Sequence, residues 1–352
     1  MRSLLNAIPL RPCLVLVCGL LVVTAAASAQ EYVDETGRVS AVLVADPYSD
    51  TRTGPELVEG PGILMEGGIV ELLDGLNVDV VRSTTVQMPA ELEREYGEWN
   101  RASLTNRTLG RFIYESNLGE HFFIGLLSGS KSLVGMLAGL QHLGPDRQPL
   151  TDSRGRDILG LPRLGDSKPL KVGLVWISER GDFNTPNTSM QGDMGGMNVA
   201  VAAGLSNDML RRQAGLDPPL STRHMVFAGV LNTNPYEELN IDNSFVERLS
   251  VGDLRHASAA IDMQMERLSG MVDVIYVHVD VGILSASDVP ELPPSPYRTI
   301  SSAELTRALQ KMFTYHKAAA IGIAGVPNGA GDVSVGAAYR LIEGALEGVR
   351  SR

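Results

Sequence analysis

Seven short apolar runs recur along the chain with longer amphipathic stretches between them, and this rhythm constrains the fold more than any other feature of the sequence. The runs are Val39–Ala45, Val78–Val81, Phe122–Leu127, Lys171–Ile177, Met225–Val230, Val272–Val279 and Ala318–Ala324. The stretches between them include Ile63–Leu76, Glu91–Ser116, Leu133–Leu140 and Leu254–Leu268, where apolar residues return at helical spacing. Strands alternating with helices predict an α/β protein: one large, mostly parallel sheet with helices on both faces, a three-layer αβα arrangement. No internal repeat is present. Residues 144–168, rich in Gly, Pro, Asp and Arg, lie between a helix and a strand and read as a surface insertion, not a domain boundary. One domain over residues 30–352 is therefore expected.

Composition removes several kinds of function. The 352 residues carry 30 basic and 41 acidic side chains, a net charge of −11, and no Lys/Arg block, so nucleic acid is not an expected partner. Both cysteines, Cys13 and Cys18, fall within the first twenty residues. Zinc ribbons, redox pairs, thiol nucleophiles and disulfide scaffolds are excluded from the rest. The N-terminus itself reads as a signal peptide over residues 1–29. Arg2 and Arg11 precede the apolar run Leu14–Val23, and Ala27-Ser28-Ala29 supplies small residues for cleavage before Gln30. A membrane anchor is the competing reading, but ten apolar residues plus alanines are short for a bilayer. The expectation is a chain exported to the periplasm or beyond the cell, without a membrane partner after cleavage. Asn-x-Ser/Thr triplets stand at Asn106 and Asn187, about as many as chance supplies, and matter only in a eukaryotic host.

In parallel sheets the working residues gather where strands end at their carboxyl edge, which directs attention to three segments. One is Ser128-Gly129-Ser130-Lys131-Ser132 after the Phe122 run. The next is Ser178-Glu179-Arg180-Gly181-Asp182-Phe183-Asn184-Thr185-Pro186, followed by Gly192 to Met197. The third is His278-Val279-Asp280. Thr53-Gly54-Pro55 through Pro61, and Gly229 through Asn234-Pro235-Tyr236-Glu237, complete a set of motifs in a fixed order.

In that order and spacing the chain resembles the ureohydrolase family of arginases, agmatinases and formimidoylglutamases. The resemblance implies an arginase-like fold and a homo-oligomer. It also implies a site in which four aspartates and two histidines hold two Mn²⁺ ions that share a bridging hydroxide, for attack on a guanidinium or formimino carbon. Carried over residue by residue, those six positions are Lys131, Ser178, Arg180, Asp182, His278 and Asp280. Only the two aspartates keep the family's ligand type. The family's proton-transfer histidine falls on Gly195, and its late glutamate is lost within Ile323 to Val326. Asn184, Asn234 and Glu237 remain as possible ligand contacts.

A charge count argues for replacement of the metals. Lys131 and Arg180 against Asp182 and Asp280 already sum to zero, so two Mn²⁺ would leave the pocket at a net charge of about +4, each unit pair ~4 Å apart interacting by about 4 kcal/mol at an effective dielectric near 20. Charged lysine and arginine also lack a lone pair for coordination. The expectation is that both cations occupy the metal space and bridge to Asp182 and Asp280, with no cofactor. Three readings stand: a buried ionic remnant, a pocket for a small carboxylate or amine, and a hydrolase with an altered site. The last would use one metal on Asp182, His278 and Asp280, or a new route. No catalytic residue is assigned. Ser128-Gly129-Ser130-Lys131 also spells the Ser-x-x-Lys nucleophile pattern of penicillin-interactive enzymes, but its companion motifs are missing. The histidines other than His278 read as surface or capping residues, and the thirteen methionines read as core filling.

Overall fold

A computed structural model describes residues 32–51, 54–88, 97–116, 121–141, 148–151, 157–163, 169–190, 192 and 194–352. The expected signal segment, both cysteines and His142 lie outside the described residues, as does part of the 144–168 stretch.

Eight strands form one sheet in the order β10-β9-β8-β11-β12-β5-β1-β4, every neighbouring pair parallel. They are β1 (Val39–Asp46), β4 (Val78–Thr85), β5 (Phe122–Leu127), β8 (Val172–Ile177), β9 (Met225–Ala228), β10 (Glu247–Leu249), β11 (Val274–Asp280) and β12 (Ala318–Ala324). The apolar runs of the sequence occupy seven of them. Strands β5, β8 and β12 are buried at every residue, as a sheet covered on both faces requires. Edge strand β4, by contrast, has four consecutive residues, Val81 being one, of which the first three are exposed.

Helices flank this sheet: α1 (Glu59–Glu66), α2 (Ile69–Gly75), α3 (Glu98–Glu115), α4 (Leu133–Gln141), α5 (Asn198–Ala202), α6 (Asp208–Gln213), α7 (Pro235–Asp242), α8 (Val251–Arg255), α9 (Ala259–Met271), α10 (Ser302–Met312) and α11 (Asp332–Arg350). Two helices expected to be continuous are broken. Gly67 and Gly68 divide α1 from α2, Gly68 at a left-handed φ of 94°; Ser258 caps α9 just after α8 ends at Arg255. Sequence reading did not anticipate β10 or two small antiparallel hairpins. β2 (Tyr48–Thr51) pairs with β3 (Gly54–Leu57) in the early Gly-rich loop, and β6 (Gln148–Thr151) pairs with β7 (Asp157–Arg163) within the 144–168 stretch. Three-residue and Pro-containing strands carry too little periodicity to be read from one sequence.

Because all eight strands run parallel, their carboxyl ends share one edge, and the segments after β5, β8, β9 and β11 meet there. The loop after β11 is held by a buried guanidinium. Arg298 donates to the carbonyls of Leu284, Ser285, Val289, Leu292 and Pro293, between 2.5 and 3.4 Å. A planar cation with five donors satisfies a loop that has no ladder to join. Arg298→Met is expected to open residues 284–299 locally, read as faster protease cleavage in that segment while cuts elsewhere stay unchanged; an identical cleavage pattern would show that the loop holds itself.

Candidate functional site

The turn after β5 is fixed from two sides. Ser128 Oγ donates to the Tyr48 carbonyl at 2.6 Å, and buried Asn106 on α3 donates to the Lys131 carbonyl at 2.8 Å while accepting from Gly135 N–H. Asn106 is 3% exposed, which rules it out as a glycosylation acceptor in the folded chain; Asn187 is exposed. This turn aims Lys131 at the N-terminus of α3, where Nζ lies 3.5 Å from Glu98 Oε1. Ser128 is thus engaged with backbone and Lys131 with a carboxylate, so the Ser-x-x-Lys pattern makes no nucleophile and base.

After β8 the chain leaves the strand conformation at once. Trp176 Nε1 donates to the Arg180 carbonyl at 2.8 Å, Arg180 N–H donates to Ser178 Oγ at 3.1 Å, and Leu231 and Asn232 N–H both bond the Glu179 carbonyl. Asp182 sits at a left-handed φ of 46°, a conformation that Asp tolerates better than most residues. The turn at Asp182 breaks the extended conformation among Ser178, Arg180 and Asp182, three positions that the resemblance assigns to one site. Arg180 in consequence faces solvent, its side chain 63% exposed and Nε 3.7 Å from Glu179 Oε1. The expected bridges from Lys131 and Arg180 to Asp182 and Asp280 are therefore corrected: among the described residues no ion pair within 4 Å joins either cation to either carboxylate.

Asp182 and Asp280 rely on neutral donors instead. Asp182 accepts from Ser130, whose hydroxyl in turn accepts from Asn198 Nδ2 at 2.9 Å. Burial is the largest influence on Asp182 and pushes its carboxyl up to about 7, with the neighbouring charges of Asp280 and Glu237 adding to it and Arg180 opposing. Asp280 accepts from Gly282 N–H at 2.8 Å and from Ser178, yet burial raises it too. Gly325 follows β12 at a φ of 77°, and a Cβ there would meet Asp280 Oδ1 at 2.7 Å. Burial likewise raises Glu237, which accepts from Phe183 N–H at 2.8 Å.

His278 lies one pleat inside the sheet, not at its rim. It is fully buried, stacked on Trp176 with ring centroids 4.4 Å apart, and Nδ1 lies 3.0 Å from the Tyr276 hydroxyl. Burial pushes the imidazole down to about 3, so it is neutral, and its Nε2 has no hydrogen-bond partner among the described residues. Among the described residues no three His, Cys, Asp or Glu side chains are grouped so as to hold a metal ion, and Asp182, His278 and Asp280 do not form such a set. With two cations and a hydroxyl at the other positions that the resemblance assigns to ligands, this donor chemistry does not fit a dimetal centre.

What does form is a cleft of about 310 Å³, lined by Arg180, Asp182, Asn184, Ser189, Met190, Gly195, Gly196, Asn232, Asn234 and Glu237. The structure brings Asn184, Asn234 and Glu237 together with Asp182 and Arg180, and leaves Lys131, Ser178, His278 and Asp280 off the lining. Asn234 caps α7, accepting from Tyr236 and Glu237 N–H, and donates to Asn184 Oδ1 at 2.9 Å; Pro235 at the first helical position completes a sequence-encoded helix start. Residues missed in the sequence are Glu98, Trp176, Tyr276, Ser295 and Asn232. Ser295 Oγ donates to Glu179 Oε2 at 2.9 Å, and Asn232 Nδ2 to Oε1 at 3.4 Å. Of these, only Trp176 and Tyr276 carried any signal, as large polar-tipped aromatics inside apolar runs.

No model of a known protein family matches the sequence. The chain is 22% identical over 262 residues to an arginase of Bacillus caldovelox, covering 72% of this chain and 78% of the relative. In structure it matches the arginase of Bacillus subtilis with a TM-score of 0.68 at 18% identity, over 87% of this chain and 98% of the other. It matches Bacillus subtilis formimidoylglutamase with a TM-score of 0.61 at 12% identity, over 88% of this chain and 87% of the other. With the motif order, the parallel sheet and these likenesses in agreement, the chain resembles the ureohydrolase family and has the three-layer α/β fold of the arginases.

Proposed function

We propose that this chain is an exported pseudoenzyme on the arginase fold, a single homo-oligomeric domain that binds a small molecule where its relatives hydrolyse one. The observation that carries the reading is the fate of the two cations. Lys131 is paired with Glu98 and Arg180 faces solvent, so neither supplies a ligand lone pair, while the cleft beside them keeps Asp182, Asn184, Asn234 and Glu237 on its walls. Convergent polar groups in a cleft of this size are the ordinary basis of small-ligand recognition. The signal-like pattern of residues 1–29 supports a place outside the cytoplasm. Among the described residues no helix is long and apolar enough to cross a membrane.

The test is metal analysis after incubation with excess Mn²⁺, followed by a hydrolysis screen with arginine, agmatine and formiminoglutamate. Metal well below one ion per chain and no urea or ammonia above the blank are expected. Stoichiometric Mn²⁺ with turnover would establish the alternative, an amidine hydrolase with an altered site.

A further inference from the structure

We infer that Arg180 is the specificity-determining residue of this cleft: its guanidinium binds the anionic end of a small dipolar ligand whose ammonium end lies against Asp182 and Glu237. The inference rests on the reading of the cleft as a ligand site and adds the class of ligand and the residue that selects it.

The cleft is electrically divided. Asp182 and Glu237 line it and are only 3% and 5% exposed, so little of either carboxyl group meets bulk water, and neither has a cation within ion-pairing distance among the described residues. Arg180 lines the same cleft from the solvent side. Its charge is felt by Asp182 and by Asp280, yet it touches neither, and its one contact with a described carboxylate is a 3.7 Å approach to Glu179. Opposite charges lining one small cleft without pairing are what a molecule with a cation at one end and an anion at the other would bridge.

The rim is built to keep that geometry. The Arg180 backbone is pinned by Trp176 Nε1 and by its bridge to Asn232, so the mobile part is the side chain alone. Glu179, the competitor for the guanidinium, is already occupied by Ser295 and Asn232, which weakens its hold on Arg180. A planar guanidinium with free donors takes a carboxylate in a two-point contact that an exposed ion pair at 3.7 Å does not match. At the floor, an ammonium has three donors for carboxylate and amide oxygens, and it offsets the burial of negative charge.

A matched series tests this at pH 8: 4-aminobutyrate, with butylamine and butyrate as its two halves, titrated calorimetrically and by thermal shift against wild type, Arg180→Gln and Asp182→Asn. Wild type is expected to bind 4-aminobutyrate about ten-fold or more tightly than either half. Arg180→Gln, which alters an exposed side chain, is expected to remove the advantage over butylamine while butylamine itself binds at least as tightly as to wild type. Asp182→Asn is expected to remove the advantage over butyrate. Equal binding of butylamine and 4-aminobutyrate by wild type, or an advantage that survives in Arg180→Gln, overturns the clamp while the cleft stays a ligand site. No binding by any of the three overturns the inference as well. Turnover in the Mn²⁺ screen is a separate result, and it alone removes the pseudoenzyme reading.

Discussion

Replacing Asp182 by Asn is expected to stabilise the protein, and to do so only above mildly acidic pH. The carboxyl is 3% exposed, and its pKa rises from 3.8 to about 7, chiefly through burial. A folded-state value above the unfolded one means that the native chain holds a proton which the unfolded chain has already released. Stability therefore falls as pH rises from about 4 to about 7, and the loss is complete above that. The gap of about 3 units corresponds to about 4 kcal/mol at pH 8. Asparagine has the same shape, accepts the same bond from Ser130, and tolerates the left-handed backbone at φ 46°. Urea unfolding at pH 4 and pH 8 reads the effect: the variant and wild type should nearly coincide at the lower pH and separate by several kcal/mol at the higher. A constant difference at both would mean that Asp182 is compensated by a cation and that the cleft floor carries no free negative charge. The same shift ties stability to ligand. A cationic ligand that ionises Asp182 at pH 6 would release a proton on binding, and the variant would release none.

The parts of this molecule legible in the sequence are those in which one residue's neighbours along the chain decide its fate. Ala318–Ala324 and Phe122–Leu127 are apolar at almost every position because both sheet faces are covered, and their strand assignments match the structure residue for residue. Asn234-Pro235 announces a helix start by local capping chemistry, and Asn184, Asn234 and Glu237 do meet across the cleft. Where a side chain points after a strand ends is a different matter. The resemblance assigns Ser178, Arg180 and Asp182 to one site, but β8 stops at Ile177, and the backbone at Asp182 is left-handed. That single turn sends Arg180 outward and upsets the expected charge-for-metal exchange. Lys131 escaped for a reason no local pattern holds: its partner Glu98 lies 33 positions earlier, at the start of α3. The motif order points to a place for His278 in the pocket, whereas its setting depends on Trp176, Tyr276 and a glycine on a third strand.

That glycine carries the second large effect. Gly322 on β12 lies opposite His278 on β11, and a Cβ added to it would fall deep inside the van der Waals radius of the Tyr276 hydroxyl, with Leu127 Cδ1 only 2.9 Å away on the other side. Tyr276 is fully buried and its hydroxyl is the partner of His278 Nδ1, so it has no direction in which to yield. Gly322→Ala is expected to cost about 3 kcal/mol, the upper part of the range for overpacking a close-packed core. Tyr276→Phe alone removes the clashing atom but leaves His278 Nδ1 buried without a partner, and is expected to cost about 1–3 kcal/mol. The double variant separates steric from polar cause. With the hydroxyl gone, the new methyl meets Leu127 Cδ1 at 2.9 Å and the ring edge at Cζ at 3.0 Å, both milder contacts, so the pair should be less destabilised than the sum of the single changes by about 1–2 kcal/mol. Denaturant unfolding of the four proteins measures that coupling, and additivity within about 0.5 kcal/mol would mean that the alanine is refused by the backbone or by Leu127 and not by Tyr276. A coupled result ties the glycine, the tyrosine and the stacked imidazole into one packed unit. At the β11 position to which the family resemblance assigns a metal-binding carboxylate, this protein would then hold a neutral histidine fixed from three strands, and substituting that histidine by aspartate alone would bury an unpaired charge without restoring a metal site.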